Sequence, residues 1–316
     1  MTIDQARRAA VDNRSVINSG INPNEEKNKV REEATFKDFF DHFMERYSKK
    51  HKKSWQYDER EVNKFLSHWF KRKAFSISRQ EIQLLHENIR EENGLYQANR
   101  LLERIRAIYN KNIEWGWSGI NPSLGIKKFK EQSRDRFIQP DELPRFFEAL
   151  NEELNYTIRD YIWISLLTGA RKSNVLAMRW QDVNFARKEW RIPDTKNGEA
   201  LTVHLSDQAI EILESREKLG EFVFSSELSS KGYLQDPKKA WARILKKAGI
   251  ENLRIHDLRR TLGSWQVATG ASLPVIGKSL GHKSSKATEV YARLNLDPVR
   301  ESVNKATEAM FAAGNK

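Results

Sequence analysis

Apolar residues recur at helical spacing along the first half of the chain. Residues 36–43 contain four phenylalanines spaced three, one and three positions apart, so that they share one face of a helix. Comparable apolar stripes occur in three later segments, residues 62–69, 82–89 and 101–109. Because such stripes usually face a core, they predict a small helical bundle that ends near Asn121-Pro122.

The apolar period changes to two in the second half of the chain. Residues 190–192 and 201–205 alternate apolar with polar side chains, and Asn197-Gly198 lies between them. This pattern predicts an antiparallel β-hairpin. Helical spacing resumes at Ser206. The predicted fold class is therefore mainly α (α+β), with a helical bundle followed by a mixed, mostly helical domain that contains a small antiparallel sheet.

Polar segments divide the chain of 316 residues into four parts, which leaves room for two packed domains. Residues 1–33 are expected to form an N-terminal helix and a linker. Residues 34–129 form the helical domain, residues 130–135 (KEQSRD) an exposed linker, and residues 136–316 the second domain.

Basic residues outnumber acidic ones, 55 Lys and Arg against 43 Asp and Glu, which gives a formal net charge of +12. Such a bias favours polyanionic partners, nucleic acid before an acidic membrane surface, although other basic proteins share it. The absence of cysteine excludes disulfides and thiolate metal sites. No apolar run approaches the roughly 18 residues of a membrane span. We therefore expect a cytoplasmic protein with no membrane partner.

The second domain carries six side chains that can do chemistry. His256 and Arg259 lie one helical turn apart and can share a face. No acidic cluster suited to a divalent cation accompanies the set, so we expect neither a metal nor another cofactor. In chain order the candidate residues are Arg171, Lys196, His256, Arg259, His282 and Tyr291.

These residue types suit a phosphate that gains negative charge during a reaction. Guanidinium groups bind phosphoryl oxygens bidentately and stay charged at any working pH. They can stabilise a pentavalent transition state where Mg²⁺ otherwise would. A tyrosine hydroxyl can attack and form a covalent intermediate, and a lysine on a mobile hairpin can protonate the leaving 5′ oxygen.

Four sequence boxes resemble those of the tyrosine recombinases of the phage-integrase type. Residues 168–171 (TGAR) and 176–183 (LAMRWQDV) resemble the first-arginine box, and residues 256–261 (HDLRRT) the His-x-x-Arg box. Residues 280–282 (LGH) and the later Tyr291 resemble the third box and the nucleophile. A single His-x-x-Arg pair occurs by chance, whereas four boxes in the same order are highly specific.

The resemblance implies a role for each candidate residue. Arg171 and Arg259 clamp the scissile phosphate, and Lys196 is the general acid toward the 5′ oxygen. His256 is an acid or base and a phosphate ligand, while His282 bonds the phosphate and packs near the nucleophile. The tyrosine attacks and leaves a 3′-phosphotyrosine.

One position departs from the family pattern. Asn174 stands where many members carry an acid three residues after the first arginine. An amide can still hydrogen-bond to Arg171, but it supplies no charge. We therefore expect a modest effect on the phosphate clamp.

The helical domain resembles the core-binding domain of the same family. Residues 62–80 carry five basic side chains and no acid, the kind of positive face that backbone binding needs. Residues 96–100 resemble its DNA-facing helix, on which polar side chains can read base edges. The expected DNA-binding residues are Lys71, Arg72, Lys73, Tyr96, Gln97, Asn99 and Arg100.

The N-terminal segment resembles the part that follows the arm-binding domain in genomic-island integrases, so we expect that domain to be missing. The resemblance implies a nucleoid-associated, site-specific recombinase that integrates or excises a mobile element. Its partners would be double-stranded attachment-site DNA, other copies of itself in a tetramer on DNA, and a host architectural protein or an excisionase.

Other functions remain open. A type IB topoisomerase-like or telomere-resolving enzyme would share the cationic site and the tyrosine. A non-catalytic DNA-binding regulator would share the fold alone.

Overall fold

The computed structural model divides the chain into two compact units, unit 1 ending at Ser133 and unit 2 beginning at Arg134. The four-part division expected from the sequence stays a prediction. Within the part of the chain that is described, no helix is both long and apolar enough to cross a membrane. The described residues are 2–18, 33–193, 199–282, 284–294 and 297–314.

Unit 1 is a helical bundle, as the apolar stripes predict. Its helices are α1 Ile3–Asn18, α2 Phe36–Phe43, α3 Trp55–Leu66, α4 Arg79–Asn93 and α5 Leu95–Glu114, with a π-helical turn at Met44–Ser48, a further helical turn at Lys49–His51 and 3₁₀ turns at Ser67–Trp69 and Ala74–Ser76. Thr35 and Ser78 begin α2 and α4 with capping boxes, which satisfy backbone N–H groups that a helix start leaves free. Gly94, with a φ of 86°, separates α4 from α5.

The phenylalanine stripe of α2 is the centre of the unit 1 core. All four of its rings are buried. The ring of Phe36 packs edge-on against Trp69 with 5.7 Å between centroids, and Phe39 packs in the same way against Tyr109 at 5.6 Å. The Tyr109 hydroxyl donates to the Ala74 carbonyl at 2.9 Å. Burial of each large side chain stabilises the bundle by about 2 kcal/mol.

Unit 2 is mostly helical, with a small antiparallel sheet. Its helices are α6 Leu143–Asn151, α7 Tyr156–Thr168, α8 Lys172–Leu176, α9 Asp207–Glu214, α10 Lys238–Ala248, α11 Asp257–Ala268, α12 Leu273–Leu280, α13 Ser285–Leu294 and α14 Asp297–Gly314, and a 3₁₀ turn covers Trp180–Asp182. Together with the bundle of unit 1, this arrangement confirms the predicted fold class.

The sheet contains the hairpin that the alternating pattern predicts. Its described strands are β1 Val183–Asn184, β2 Glu189–Ile192 and β3 Leu201–His204, in the order β1-β2-β3 and antiparallel throughout. Trp190 pairs with Val203, and both side chains are buried in the unit 2 core. The turn with Asn197-Gly198 lies outside the described residues.

Candidate active site

Two helix ends meet at the centre of the site. Gly169 is the C-cap residue of α7 and Gly281 is the C-cap residue of α12, and both have left-handed backbone, φ 58° and 65°. A Cβ on Gly169 would lie 2.7 Å from Cδ2 of Leu280, the last residue of α12. Glycine is therefore required at position 169 both by its φ and by the close approach of α12. Arg171 lies two residues after Gly169, and His282 directly follows Gly281.

The Arg259 guanidinium joins the two helix ends. It is 6 % exposed, and it donates to the Gly169 carbonyl at 2.7 Å and to the Leu280 carbonyl. A cation at the C-terminal ends of two helices is favoured because carbonyl dipoles point at it. Burial lowers the pKa of Arg259, an effect that Tyr291 opposes and Arg171 reinforces. The guanidinium still stays charged at neutral pH.

Tyr291 lies on α13 and packs against Arg259 and α11. Its side chain is 3 % exposed, and a Cβ on Gly263 would lie 2.6 Å from its Cδ1, so the ring sits directly on the glycine. Burial raises the pKa of the Tyr291 hydroxyl, whereas the charges of Arg259 and Arg260 and a hydrogen bond from Arg259 lower it. Two cations thus offset part of the cost of forming a buried phenolate.

His282 is a neutral, half-buried imidazole beside the tyrosine. The two rings are 9° from parallel, with 5.9 Å between centroids. Its Nδ1 lies 2.9 Å from Oγ1 of Thr288, which is buried. Burial, with the charges of Arg259 and Arg171, lowers the pKa of His282 to about 4. At neutral pH the ring can therefore donate or accept one hydrogen bond at each nitrogen without adding charge.

His256 is the N-cap residue of α11 and is exposed. The surrounding protein atoms desolvate the ring, and this desolvation, together with the charges of Arg260 and Arg259, lowers the pKa of His256. A neutral imidazole can accept a proton, so His256 is suited to act as a base.

Arg171 precedes α8 and is half-buried. Its charge lowers the pKa values of His256, His282 and Arg259, so its guanidinium acts on all three. Asn174 donates its backbone N–H to the Arg171 carbonyl at 2.8 Å. The side-chain support of Arg171 by Asn174 stays a prediction.

Five of the six candidate residues therefore belong to one site. Lys196, the sixth, lies outside the described residues. Asp257 lies within the His-x-x-Arg box, residues 256–261, and the sequence pattern predicts no role for it. Asp257 is fully buried and receives a 2.6 Å hydrogen bond from Arg260. A buried carboxylate beside candidate catalytic residues has no signal of its own in the sequence.

The DNA-binding candidates in unit 1 differ in accessibility. Lys71 is exposed, and Tyr96 is 50 % exposed although its hydroxyl donates to the Gln132 carbonyl at 2.7 Å. Arg100 is also exposed, and it forms a 3.0 Å ion pair with Glu103. Lys71 and Arg100 are therefore accessible to a polyanion, since the exposed ion pair of Arg100 exchanges at little cost.

Three further candidates are held by protein partners. Arg72 forms an ion pair with Glu81 and donates to the Ser76 carbonyl at 2.8 Å. Lys73 donates to the Glu33 carbonyl at 2.6 Å, and Gln97 donates to the Glu61 carboxylate. Each of the three side chains therefore already has an acceptor within the protein, and a DNA group would have to bind beside that acceptor or replace it.

Asn99 has a structural role, which corrects its expected part in base reading. Its side chain is fully buried. The amide donates at 2.9 Å to the Phe129 carbonyl and the Glu131 carboxylate, while its oxygen accepts from the Phe129 N–H and lies 3.1 Å from Nε2 of His86. Asn99 thus fixes the chain segment that follows the bundle and presents no free group to a DNA groove.

Comparisons with known proteins show which family this chain is similar to. The model of the phage integrase family matches residues 136–297. The integrase of Salmonella phage P22 is 30 % identical over 197 residues, which are 57 % of this chain and 49 % of that protein. The tyrosine recombinase XerC of Pelobacter propionicus is 29 % identical over 219 residues, 66 % of this chain and 72 % of that protein. The chain spans about half the length of several curated relatives that it matches.

Solved structures show the same fold. A lambda integrase dimer bound to a COC′ core site superposes with a TM-score of 0.71 at 15 % identity, covering 90 % of this chain and 85 % of that one. The Tn1549 transposon integrase in complex with transposon right end DNA gives a TM-score of 0.70 at 14 % identity, covering 87 % and 100 %.

Proposed function

Because the chain belongs to the phage integrase family, we propose that it is a site-specific DNA recombinase that cuts and rejoins DNA through Tyr291. One observation carries the proposal: the buried Arg259 guanidinium hydrogen-bonds to both helix ends that precede Arg171 and His282, and the tyrosine hydroxyl lies beside it. Two permanent cations next to a hydroxyl nucleophile are the donor set of a phosphoryl transfer.

In the proposed reaction the Tyr291 oxygen attacks the scissile phosphorus. The bond from phosphorus to the 5′ oxygen breaks, which leaves a 3′-phosphotyrosine and a free 5′ hydroxyl. Arg171 and Arg259 neutralise the charge that builds on the phosphoryl oxygens. His256 accepts the tyrosine proton, and Lys196 protonates the leaving oxygen. The reverse attack by a 5′ hydroxyl rejoins a strand, so that no external energy source is needed.

The proposed substrate is double-stranded attachment-site DNA, bound in part through the exposed basic residues of unit 1. Lys71 and Arg100 contact the phosphate backbone, where each cation releases counterions. Tyr96 provides a polar contact on the same helix as Arg100. We place the protein in the cytoplasm, associated with the nucleoid.

Self-assembly on DNA follows from the same proposal, because recombination joins two duplexes and uses four active sites. Helix α14 carries exposed apolar side chains at Val303, Met310 and Phe311. These fit a contact with a second copy in the proposed tetramer. An excisionase or a host architectural protein would bend or select the DNA.

Covalent trapping tests the proposal. A pool of nicked duplexes with a randomised core is incubated with the protein in excess EDTA and without ATP, and adducts are separated on denaturing gels. We expect an adduct with the wild type and none with Tyr291→Phe. Tyr233→Phe is the matched control, because Tyr233 is a half-buried tyrosine of unit 2 that packs against Phe222. An adduct in Tyr291→Phe would refute the proposal.

A further inference from the structure

Asp257 is a buried carboxylate next to His256, outside the set of groups that the proposed reaction uses. It is 0 % exposed. Its Oδ2 accepts from Nε of Arg134 at 2.9 Å and from the Arg254 N–H at 2.8 Å, while its Oδ1 accepts from Arg260 at 2.6 Å. A buried charge persists only when it is paired in this way, so these partners define the position of the carboxylate.

Arg134 ties this carboxylate to the loop that precedes His256. Its guanidinium also donates to Oδ1 of Asn252 at 2.8 Å and to the Asn252 carbonyl. Asn252 has a left-handed backbone with a φ of 51°, a conformation that needs support from its surroundings in a residue other than glycine. One guanidinium therefore braces both the loop before His256 and the first turn of α11.

A second contact fixes the same segment further along α11. The Ile138 N–H donates to the Thr261 hydroxyl at 3.0 Å, and that hydroxyl donates to the Asp257 carbonyl at 3.0 Å. Thr261 is 1 % exposed, so both bonds are shielded from water. The chain entering unit 2 is thus attached to α11 at residues 134 and 138.

Helix α11 carries the residues whose placement matters most. Arg259 can donate to both the Gly169 and the Leu280 carbonyls only while α11 neither rotates about its axis nor shifts along it. His256 caps the same helix. A shift of about 1 Å in catalytic groups can lower a rate about 100-fold. We propose that Arg134 and Asp257 form a positioning pair that places His256 and Arg259 for strand cleavage. The kinetic test of this inference rests on the proposed function.

The kinetic test compares single-turnover adduct formation on a trapped duplex with the dissociation constant for the same DNA. Arg134→Ala is expected to lower the cleavage rate about 10- to 100-fold while binding changes by less than about threefold. Arg134→Lys should recover part of the rate, because an ammonium keeps the charge beside Asp257 but lacks the fork that also holds Asn252. Adding Asp257→Asn to Arg134→Ala should lower the cleavage rate little further, since both substitutions break the same pair.

Arg136→Ala is the matched control. Arg136 lies on the same segment and its side chain is 19 % exposed, against 20 % for Arg134. Its ion pair is with Glu142, and its contact with the loop before α11 is one 3.4 Å hydrogen bond to the Glu251 carbonyl. We expect its cleavage rate to stay within about threefold of the wild type.

Hydrogen exchange gives a readout that is independent of cleavage. In the protein without DNA, peptides from residues 250–262 should exchange faster in Arg134→Ala than in Arg136→Ala. If Arg134→Ala fails to fold, Arg134→Lys carries both tests, because it keeps the buried charge paired. Equal cleavage and equal exchange in the position 134 and 136 variants would overturn the inference and leave the proposed function intact. A different outcome would refute the proposed function alone: faster hydrogen exchange in Arg134→Ala, together with a wild-type protein that never forms an adduct.

Discussion

Gly263 should become costly to replace because the Tyr291 ring occupies the space of a side chain there. Gly263 lies in the middle of α11, and a Cβ built on it would lie 2.6 Å from Cδ1 and 2.8 Å from Cζ of the tyrosine. Both distances are too short for carbon atoms in contact. Gly263→Ala must therefore push the ring, and with it α13, away from Arg259.

Two opposing effects set the size of the change. Alanine is better than glycine inside a helix by about 1 kcal/mol. Overpacking a filled site costs about 1–3 kcal/mol. With Tyr291 present, Gly263→Ala should lower the free energy of unfolding by up to about 2 kcal/mol. In a Tyr291→Ala background the overlap is absent, so Gly263→Ala should raise the free energy of unfolding by about 1 kcal/mol.

Urea unfolding of the wild type, both single variants and the double variant measures this coupling. The chain has two units, which can unfold in separate transitions. The transition to follow is the one whose midpoint Tyr291→Ala shifts. Gly220→Ala is the control, since a Cβ there meets no atom within 4 Å; its effect should be the same in both backgrounds. A coupling between positions 263 and 291 below about 0.5 kcal/mol would refute the packing that we describe.

Three further predictions concern the site and the assembly. Arg259→Lys should lower adduct formation at least about 100-fold with near-normal DNA binding, because one ammonium lacks the donors to hold the Gly169 and Leu280 carbonyls and a phosphate together; a loss below tenfold would contradict the clamp. His282 has a folded-state pKa of about 4, below its unfolded value, so its neutral form stabilises the fold fully above about pH 6.5, and that stability is lost as the pH falls toward 4. Urea titrations at several pH values should show a shallower loss in His282→Gln than in the wild type, by less than about 1 kcal/mol per pH unit; equal slopes in the two proteins would contradict the shift. Deleting residues 298–316 should leave binding to one half-site intact but remove multimeric DNA complexes in sedimentation, and unchanged multimers would exclude a role of α14 in assembly.

Local patterns were sufficient to predict most of the fold. The phenylalanine spacing of residues 36–43 predicts a buried helix face, and the structure confirms it. Alternation around residues 190–205 predicts the hairpin, because a strand exposes every second residue. Strand β1 has two residues, too few to leave a periodic signal.

The sequence predicts which residues could form the candidate site, but it does not predict the groups that hold them in place. Arginine, histidine and tyrosine in ordered boxes indicate the chemistry, whereas the burial of Tyr291 and the carbonyl partners of Arg259 depend on helix ends far apart in the sequence. Asn99 likewise shows that tertiary partners cannot be predicted from a local pattern. A polar residue on a helix looks available for recognition until its tertiary partners, here Phe129 and Glu131, are known.

The covalent link between DNA and one named residue is the most direct test of the central claim. Wild-type protein trapped on a nicked duplex would be digested with trypsin and nuclease and analysed by tandem mass spectrometry. Cleavage after Lys286 and Arg293 releases residues 287–293 (ATEVYAR), which contain Tyr291. We predict a nucleotide remnant on the Tyr291 oxygen of this peptide. A remnant on any other residue, or trapped protein with an unmodified 287–293 peptide, would contradict the account.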